Sequence, residues 1–515
     1  MKLVTAEQMR GLDSAAINTW GVPSLTLMEN AGRRTVEAML ARYGEPEGRT
    51  VAIFAGPGNN GGDGLVIARL LAARMAQPVV FLLVPAKELK GDAAVNFTRI
   101  HEFPVRVIEV ASAAELDEAA AIVAESWAVV DGIFGTGLTR EVSGTFAAAV
   151  DTINAASCPV VALDIVSGIN ADSGRVLGLC VEADLTVSFG AAKIGQAVYP
   201  GRRYTGELEV VDIGIPPEAL ADMDCRLELL DRKVGDWLKP RSPLSHKGTY
   251  GHLLVLAGST GKTGAAMLCG LGALRAGTGL VSLGVPHDLN QILETGLWEA
   301  MTIPLHATVR GILSIEAYPV ILDSLTGKQA LVIGPGIGTA GETAELVKKL
   351  YREIGLPLLV DADGLNILAT DTGLLQKPAG PRILTPHPGE MARLLGVTPV
   401  EIAADRLGAA REFAERHQVY VVLKGADTLV VDPAGNAAVN PTGNPGMACG
   451  GMGDVLAGLI GGFLAQGMPP WHACCLAVFS HGLAADLLAA ESGAGYLASE
   501  VAREIPFVLE ELKNV

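Results

Sequence analysis

Aromatic residues are scarce, at 5% of 515 positions. A chain with so few rings has little surface on which nucleic-acid bases could stack. Cations are outnumbered, 39 Lys and Arg against 56 Asp and Glu, for a net charge of −17. Neutralising a phosphate backbone takes clustered cations, so the composition argues against a nucleic-acid partner. Cysteine is sparse and unpatterned: seven residues, at 158, 180, 225, 269, 449, 474 and 475, with no CxxC. An odd, scattered set reads as reduced thiols rather than a disulfide framework. The segment Met1–Gln8 has no apolar stretch, so the expected location is the cytoplasm. No uninterrupted apolar run reaches the ~18 residues of a membrane span, and no membrane partner is expected. Leu456–Leu464 comes nearest and is broken by glycine.

What is abundant is small and apolar. Hydrophobic residues make up 49% of the chain, with 62 glycines. That suits close helix–strand packing and tight turns, and the length calls for two or more domains. Short apolar strands alternate with helical patterns, at Thr50–Gly56, Val79–Val84, Ala128–Val130, Val160–Leu163, His252–Gly258, Leu280–Val285, Leu331–Ile333, Leu358–Val360, Arg382–Leu384 and Val419–Leu423. Continuous apolar strands imply sheets buried on both faces, hence an α/β fold of mostly parallel βαβ units. Prolines at 216, 217, 240 and 243 flank a short acidic segment. We read one domain as 1–217 and a second as 226–515.

Gly450-Gly451-Met452-Gly453-Asp454 is the most informative segment. A Gly-rich turn opening a helix presents unpaired N–H groups and suits an anion. Asp454 would repel a phosphate there, so it is either a base acting on a hydroxyl or an N-cap. Helix is expected from Val455.

In the first half, Asn59-Asn60-Gly61-Gly62-Asp63-Gly64 follows a strand and precedes a helical stretch from Leu65 to Ala76. It is read as a ligand-facing loop, or as a plain structural turn. Asp131 ends a strand before Gly135-Thr136-Gly137-Leu138-Thr139-Arg140-Glu141, and Asp164 ends another just before Ser167. Oxygens of Asn60, Asp131, Asp164 and Ser167, if they converge, suit a hard cation rather than zinc. In the second half, Asp361, His387 and Lys424 follow strands. His387 is flanked by two prolines, and Lys424 faces either a phosphate or solvent. The Gly261-Lys262-Thr263 step lacks the upstream glycine of a Walker A loop, since Leu256 stands there.

NNGGDG, DGIFGTGLTR and LDIVSGINADSG, together with LMENAGR at residues 27–33, resemble the YjeF-type N-terminal domain. That family consists of epimerases of hydrated nicotinamide nucleotides with a Rossmann-like three-layer αβα fold. The resemblance implies substrate contacts at Asn59, Asn60, Gly61, Gly62, Asp63, Gly135, Thr136, Gly137, Leu138, Thr139, Arg140, Glu141 and Asp164. It also implies K+ at Asn60, Asp131 and Ser167. The chain has Val166 where the family usually has proline, which removes no functional group. Asp164 would be an acid–base catalyst or a ribose ligand, with Asp131 the competing choice for catalyst.

DADGLN, LTPHPGE, KGADT and GGMGD resemble the ribokinase-like superfamily. More narrowly they resemble its ADP-dependent dehydratases of the S form of hydrated NADH and NADPH. The resemblance implies a second three-layer αβα domain, with ADP and Mg2+ as co-substrate. ADP would meet Lys424, Gly425, Ala426, Asp427, Thr428 and Gly453; the hydrate would meet Ala265, Gly338, His387 and Asp454, with Asp454 the catalytic base. Met452 looks at home among the dehydratases. The implied partners are small molecules, and a homo-oligomer is expected. Two alternatives stand beside this reading: a sugar or hydroxymethylpyrimidine kinase with a regulatory N-terminal module, and a non-enzymatic scaffold built on the first domain.

Overall fold

The computed structural model describes residues 1–110, 112, 115–376 and 378–513. The chain forms two compact units, Met1–Cys225 and Arg226–Val515. The stretch after Pro217 is no free linker. Helix Pro217–Asp222 and its sequel are tied to the first unit: Lys2 donates to the Leu220 carbonyl, Gln8 to that of Asp224, and the Cys225 thiol to that of Leu3.

The first unit is built on a seven-stranded, all-parallel sheet. Its order is Arg106–Glu109, Gln77–Leu82, Thr50–Ala55, Ala128–Gly132, Val160–Leu163, Leu185–Phe189 and Glu207–Val211. Side chains alternate across a strand. Val51, Ile53 and Ala55 therefore enter one apolar cluster and Ala52 and Phe54 another, which gives a helical layer on each face. Chain order reverses between Thr50–Ala55 and Ala128–Gly132. In open α/β sheets, ligands bind at such a switch point, beyond the carboxyl ends of the strands.

The second unit carries ten strands in the order Leu227–Leu229, Ala437–Val439, Leu429–Val431, Tyr420–Leu423, Arg382–Leu384, Leu358–Val360, Ala330–Ile333, His252–Leu256, Leu280–Pro286 and Met301–Leu305. Only Leu429–Val431 runs against its neighbours. The switch point lies between His252–Leu256 and Ala330–Ile333. Asp361, Thr385 and Lys424 each follow directly on the carboxyl end of a strand, which brings these polar groups to one edge.

Among the described residues one helix, Pro470–Ser492, is long and apolar enough to cross a membrane by length and composition. It is a core helix: Ala473 through Gly482 are buried without a break. Ser480 and His481 interrupt its apolar run, whereas Leu456–Leu464 carries no polar side chain. All seven cysteines are free thiols.

Candidate functional site

In the first unit, the helix begins at Asn59, not after Gly64 as expected. The glycines serve close approach rather than a loop. A Cβ on Gly61 would collide with the Gly56 carbonyl, and one on Gly56 with that of Ile133. The helix start is thus pressed onto two adjacent strand ends. Its first turn holds Asn60, whose Nδ2 donates to the Phe134 carbonyl at 2.9 Å. The Asn60 Oδ1 is buried with no hydrogen-bond partner.

The Ser167 hydroxyl reaches the same carbonyl at 3.3 Å, and Asp131 joins through Ser167. Asp131 is fully buried and accepts from the Ser167 N–H at 2.9 Å and from its hydroxyl at 2.6 Å. The Ser167 hydroxyl in turn accepts from the Phe134 N–H. Burial pushes the Asp131 carboxyl up to about 6, against the pull of those hydrogen bonds. An orphaned amide oxygen beside a carboxylate, a hydroxyl and a carbonyl is an all-oxygen donor set that fits a hard cation. A cation there would return the carboxyl to its charged form.

Beside this cage is a cavity of about 530 Å³, lined by Asn59, Asn60, Asp63, residues 135–140 and Asp164. Gly61 and Gly62 are buried behind its wall, and Glu141 lines an adjoining groove with Val84 and Phe146. Asp164 has φ 62°, a rare conformation for a residue with a Cβ. It is held there on both sides: Gln196 donates to its carbonyl at 2.7 Å, and its own N–H donates to Val187. Its carboxylate accepts from the Phe189 N–H and pairs with Lys193. That ammonium is wholly enclosed and also donates to the Ser188 hydroxyl and the Phe189 carbonyl.

Lys193 and Asp13 were missed in the sequence. A lone lysine inside Phe189–Gly195, an otherwise apolar stretch, is the signal that could have found the first. Asp13 borders the buried face of helix Ala6–Asn18 and opens onto the cavity. Burial, then the charge of Asp164, pushes the Asp13 carboxyl up to about 6. Asp63, deeper still, is raised well above the usual range by burial, then by Asp164, Asp13 and Asp92.

In the second unit the helix runs Met452–Ala465 and Gly451, at φ 92°, is its N-cap. Asp454 is therefore the third helical residue and not the cap. Its helix lies tight against helix Thr263–Arg275, where a Cβ on Gly458 would strike the Cys269 carbonyl. Met452 is buried. Burial first, then the charges of Asp361 and Asp363, raises the Asp454 carboxyl to about 7, and Lys424 offsets part of this.

Lys424 is not a solvated loop lysine. Its ammonium lies 2.6 Å from Asp361 and 3.8 Å from Glu390. Asp361 also accepts from the Thr385 hydroxyl at 2.7 Å. A Cβ on Gly453 would stand 3.6 Å from the Lys424 ammonium, so the glycine turn and the lysine meet. The loop 424–428 is braced from below by Arg406, which donates to the carbonyls of Leu423, Lys424 and Ala426. The Thr428 hydroxyl folds back onto the Gly425 carbonyl, and Asp427 is buried.

His387 is stiffened by more than its prolines. Its Nδ1 accepts the N–H groups of Gly389 and Glu390, capping helix Pro388–Leu395, while Glu390 accepts the His387 N–H at 2.8 Å. Ala265, Lys262, Asp363 and Asp454 line an open pocket of about 440 Å³. Gly338 joins them through its N–H, which donates to Asp363 at 3.0 Å. His387 and loop 424–428 are not in that lining and connect to it through Glu390, Lys424 and Asp361. The larger cavity of this unit, about 850 Å³, lies between residues 237–250 and the C-terminal helix and holds none of these groups.

Two family models match the chain: "YjeF-related protein N-terminus" over residues 24–195 and "NAD(P)H-hydrate dehydratase" over 253–507. The bifunctional NAD(P)H-hydrate repair enzyme of Moorella thermoacetica is 42% identical over all of this chain and 98% of its own length. The chain belongs to the family of bifunctional NAD(P)H-hydrate repair enzymes. Other members of the repair-enzyme family include those of Thermofilum pendens, 38% identical over 97% of this chain and 94% of that protein, and Escherichia coli, 34% identical over 96% and 92%. Among solved structures, the ADP/ATP-dependent NAD(P)H-hydrate dehydratase of Bacillus subtilis, co-crystallised with ATP and Mg2+, is 34% identical. It covers 55% of this repair-family chain and 98% of its own, with a TM-score of 0.48.

Proposed function

We propose that the chain restores hydrated NADH and NADPH in two steps. The first unit interconverts the R and S hydrates, and the second returns the S form to NAD(P)H at the expense of ADP. The observation that supports this most is that the full-length family match coincides with both clusters being complete: the oxygen cage of the first unit and the Asp454–Lys424–Asp361 group of the second.

In the first unit K+ would be held by Asn60, Asp131 and Ser167, fixing the loop 134–140 that faces the substrate. Residues 135–140 and the start of helix Asn59–Ala72 offer N–H groups to the substrate's phosphates. Asp164 faces the same cavity with its charge balanced by Lys193.

In the second unit Asp454 takes the proton of the hydrate's hydroxyl. That oxygen attacks the terminal phosphorus of the nucleotide, whose bridging bond breaks to release a shorter nucleotide. N–H groups of residues 450–453 and the Lys424 ammonium face the charge that develops. Phosphate then leaves the ring carbon, a proton leaves its neighbour, and the double bond returns. The nucleotide is ADP or ATP, with ADP the finer reading. Mg2+ would arrive with the phosphates, since one or two carboxylates are enough to hold it beside them.

The deciding experiment follows recovery of NADH absorbance from a mixed R and S hydrate with ADP, for the wild type and Asp454→Asn. Complete recovery by the wild type and none by the variant is expected. A stable phosphorylated alcohol in place of NADH would favour the kinase reading instead.

A further inference from the structure

Asp13 is a carboxyl on the first helix of the chain, far in sequence from every segment so far assigned to the epimerase cavity. It nonetheless lines that cavity with Asp164. The two arrive on different elements, Asp13 on helix Ala6–Asn18 and Asp164 at the end of strand Val160–Leu163. Their charges influence each other, yet the hydrogen bonds of Asp164 go to Lys193 and Phe189. Their environments differ. Asp164 is ion-paired with Lys193, whereas Asp13 has no hydrogen-bonded cation, and burial, then the charge of Asp164, drives it towards its protonated form. Two carboxyls lining one cavity, one paired with a lysine and one not, make an acid–base pair.

The substrate needs one. Hydration of an enamine double bond puts the hydroxyl on the carbon beside the ring nitrogen. Inverting that carbon requires the hydroxyl to leave one face and a water to arrive on the other. We propose, resting on the epimerase reading above, that Asp13 and Asp164 are the acid and base of this exchange, acting from opposite faces of the hydroxyl-bearing carbon.

The step balances without a redox partner. Asp13 gives its proton to the hydroxyl, and the C–O bond breaks to release water. The nitrogen lone pair forms a C=N bond. A second water then bonds to the carbon on the other face, the pair returns to nitrogen, and Asp164 takes the surplus proton. Asp13 is left ionised and Asp164 protonated. That is the state that runs the reverse inversion, as an epimerase requires. Asp63 lines the same cavity, and burial, then Asp164, Asp13 and Asp92, holds it well above the usual range, so it stands as a neutral wall beside the pair.

The test is conversion of purified R hydrate to S hydrate in 18O-labelled water without ADP, on the full-length protein. The wild type is expected to incorporate one solvent oxygen per inversion. Asp13→Asn is expected to slow conversion at least about 100-fold, with Asp13→Glu recovering part of the rate and the hydrate still bound by Asp13→Asn in a direct titration. Retention of the original oxygen through inversion, or an Asp13→Asn variant that binds and converts at the wild-type rate, would overturn the proposal. If the wild type itself converts nothing, the epimerase reading falls and this one with it.

Discussion

The ammonium of Lys424 lies 2.6 Å from the carboxylate of Asp361, and this bond separates the roles of two neighbouring aspartates. Asp361 accepts from the Lys424 ammonium and from the Thr385 hydroxyl. Asp454 has no such cation bonded to it, and burial first, then the charge of Asp361, leaves it the group whose proton is easily gained and lost. A base near neutrality follows from that burial, against the pull of Lys424.

Dehydration should therefore depend on pH through Asp454. A carboxyl raised to about 7 is protonated below that value and cannot accept the hydroxyl proton. The expected kcat/KM rises with pH up to about 7 and then levels. Asp454→Asn should lower kcat by about 10²–10⁴-fold, the usual worth of a positioned base. A rate that falls as pH rises towards 7 would exclude the assignment.

Lys424→Met should destabilise the second unit. It leaves Asp361, almost fully buried, without its cation, and breaking such a pair costs about 3–5 kcal/mol. Thermal unfolding of the full chain should show a lowered transition. Pairing the change with Asp361→Asn should recover part of the loss, since the uncompensated charge is then gone.

Exchanging K+ for a large organic cation should abolish epimerisation and leave ADP-dependent dehydration of pure S hydrate in place. Ser167→Ala should raise the K+ concentration needed for half-maximal epimerisation. Equal activity with and without K+ would show that the orphaned Asn60 oxygen has another purpose.

Gly61→Ala should be far worse than Gly58→Ala. The added methyl would press into the Gly56 backbone in the first case and meet nothing within 4 Å in the second. Overpacking against backbone should cost about 3 kcal/mol, whereas Ala at the Gly58 cap position should cost less than about 1 kcal/mol. Unfolding transitions of the two variants make the comparison.

His387 can be divided between structure and substrate. Asn accepts the same N–H groups at an N-cap, while Ala does not. His387→Ala should lose about 1 kcal/mol of stability, and His387→Asn very little. If His387→Asn still raises the KM for the hydrate, the ring serves substrate as well as the helix.

Much of this was legible in the residues because strand ends are. Val160–Leu163 and Leu358–Val360 are plain apolar runs, Arg382–Leu384 is one apart from its arginine, and the polar residue that follows each lands at the ligand edge. Asn60, Asp131 and Ser167 could be grouped on that argument, and they do meet: Asn60 and Ser167 share the Phe134 carbonyl, and Ser167 bonds Asp131. The start of helix Asn59–Ala72 was not legible, because glycine is a poor helix former and only the contact with Gly56 shows why it is needed. Glu207–Val211 escaped notice because its exposure alternates at a sheet edge. Arg406 was invisible for a different reason. It acts through the backbone carbonyls of Leu423, Lys424 and Ala426, and such contacts leave no local pattern. The Asp454 alternatives were separable only by geometry: a three-residue shift of the helix start, from Val455 to Met452, makes Gly451 the cap.

Strand Leu227–Leu229 follows the last residue of the first unit by a single position and closes the edge of the second sheet, pairing Leu227 with Ala437. A shortened second half begun after Leu230 would strip that edge. The row Ala437–Val439, all buried in the intact chain, would then face water with unpaired backbone. Such a strand is a template for clumping between molecules. An insoluble fragment of that kind would report a badly placed cut, and one begun at Arg226 should stay in solution.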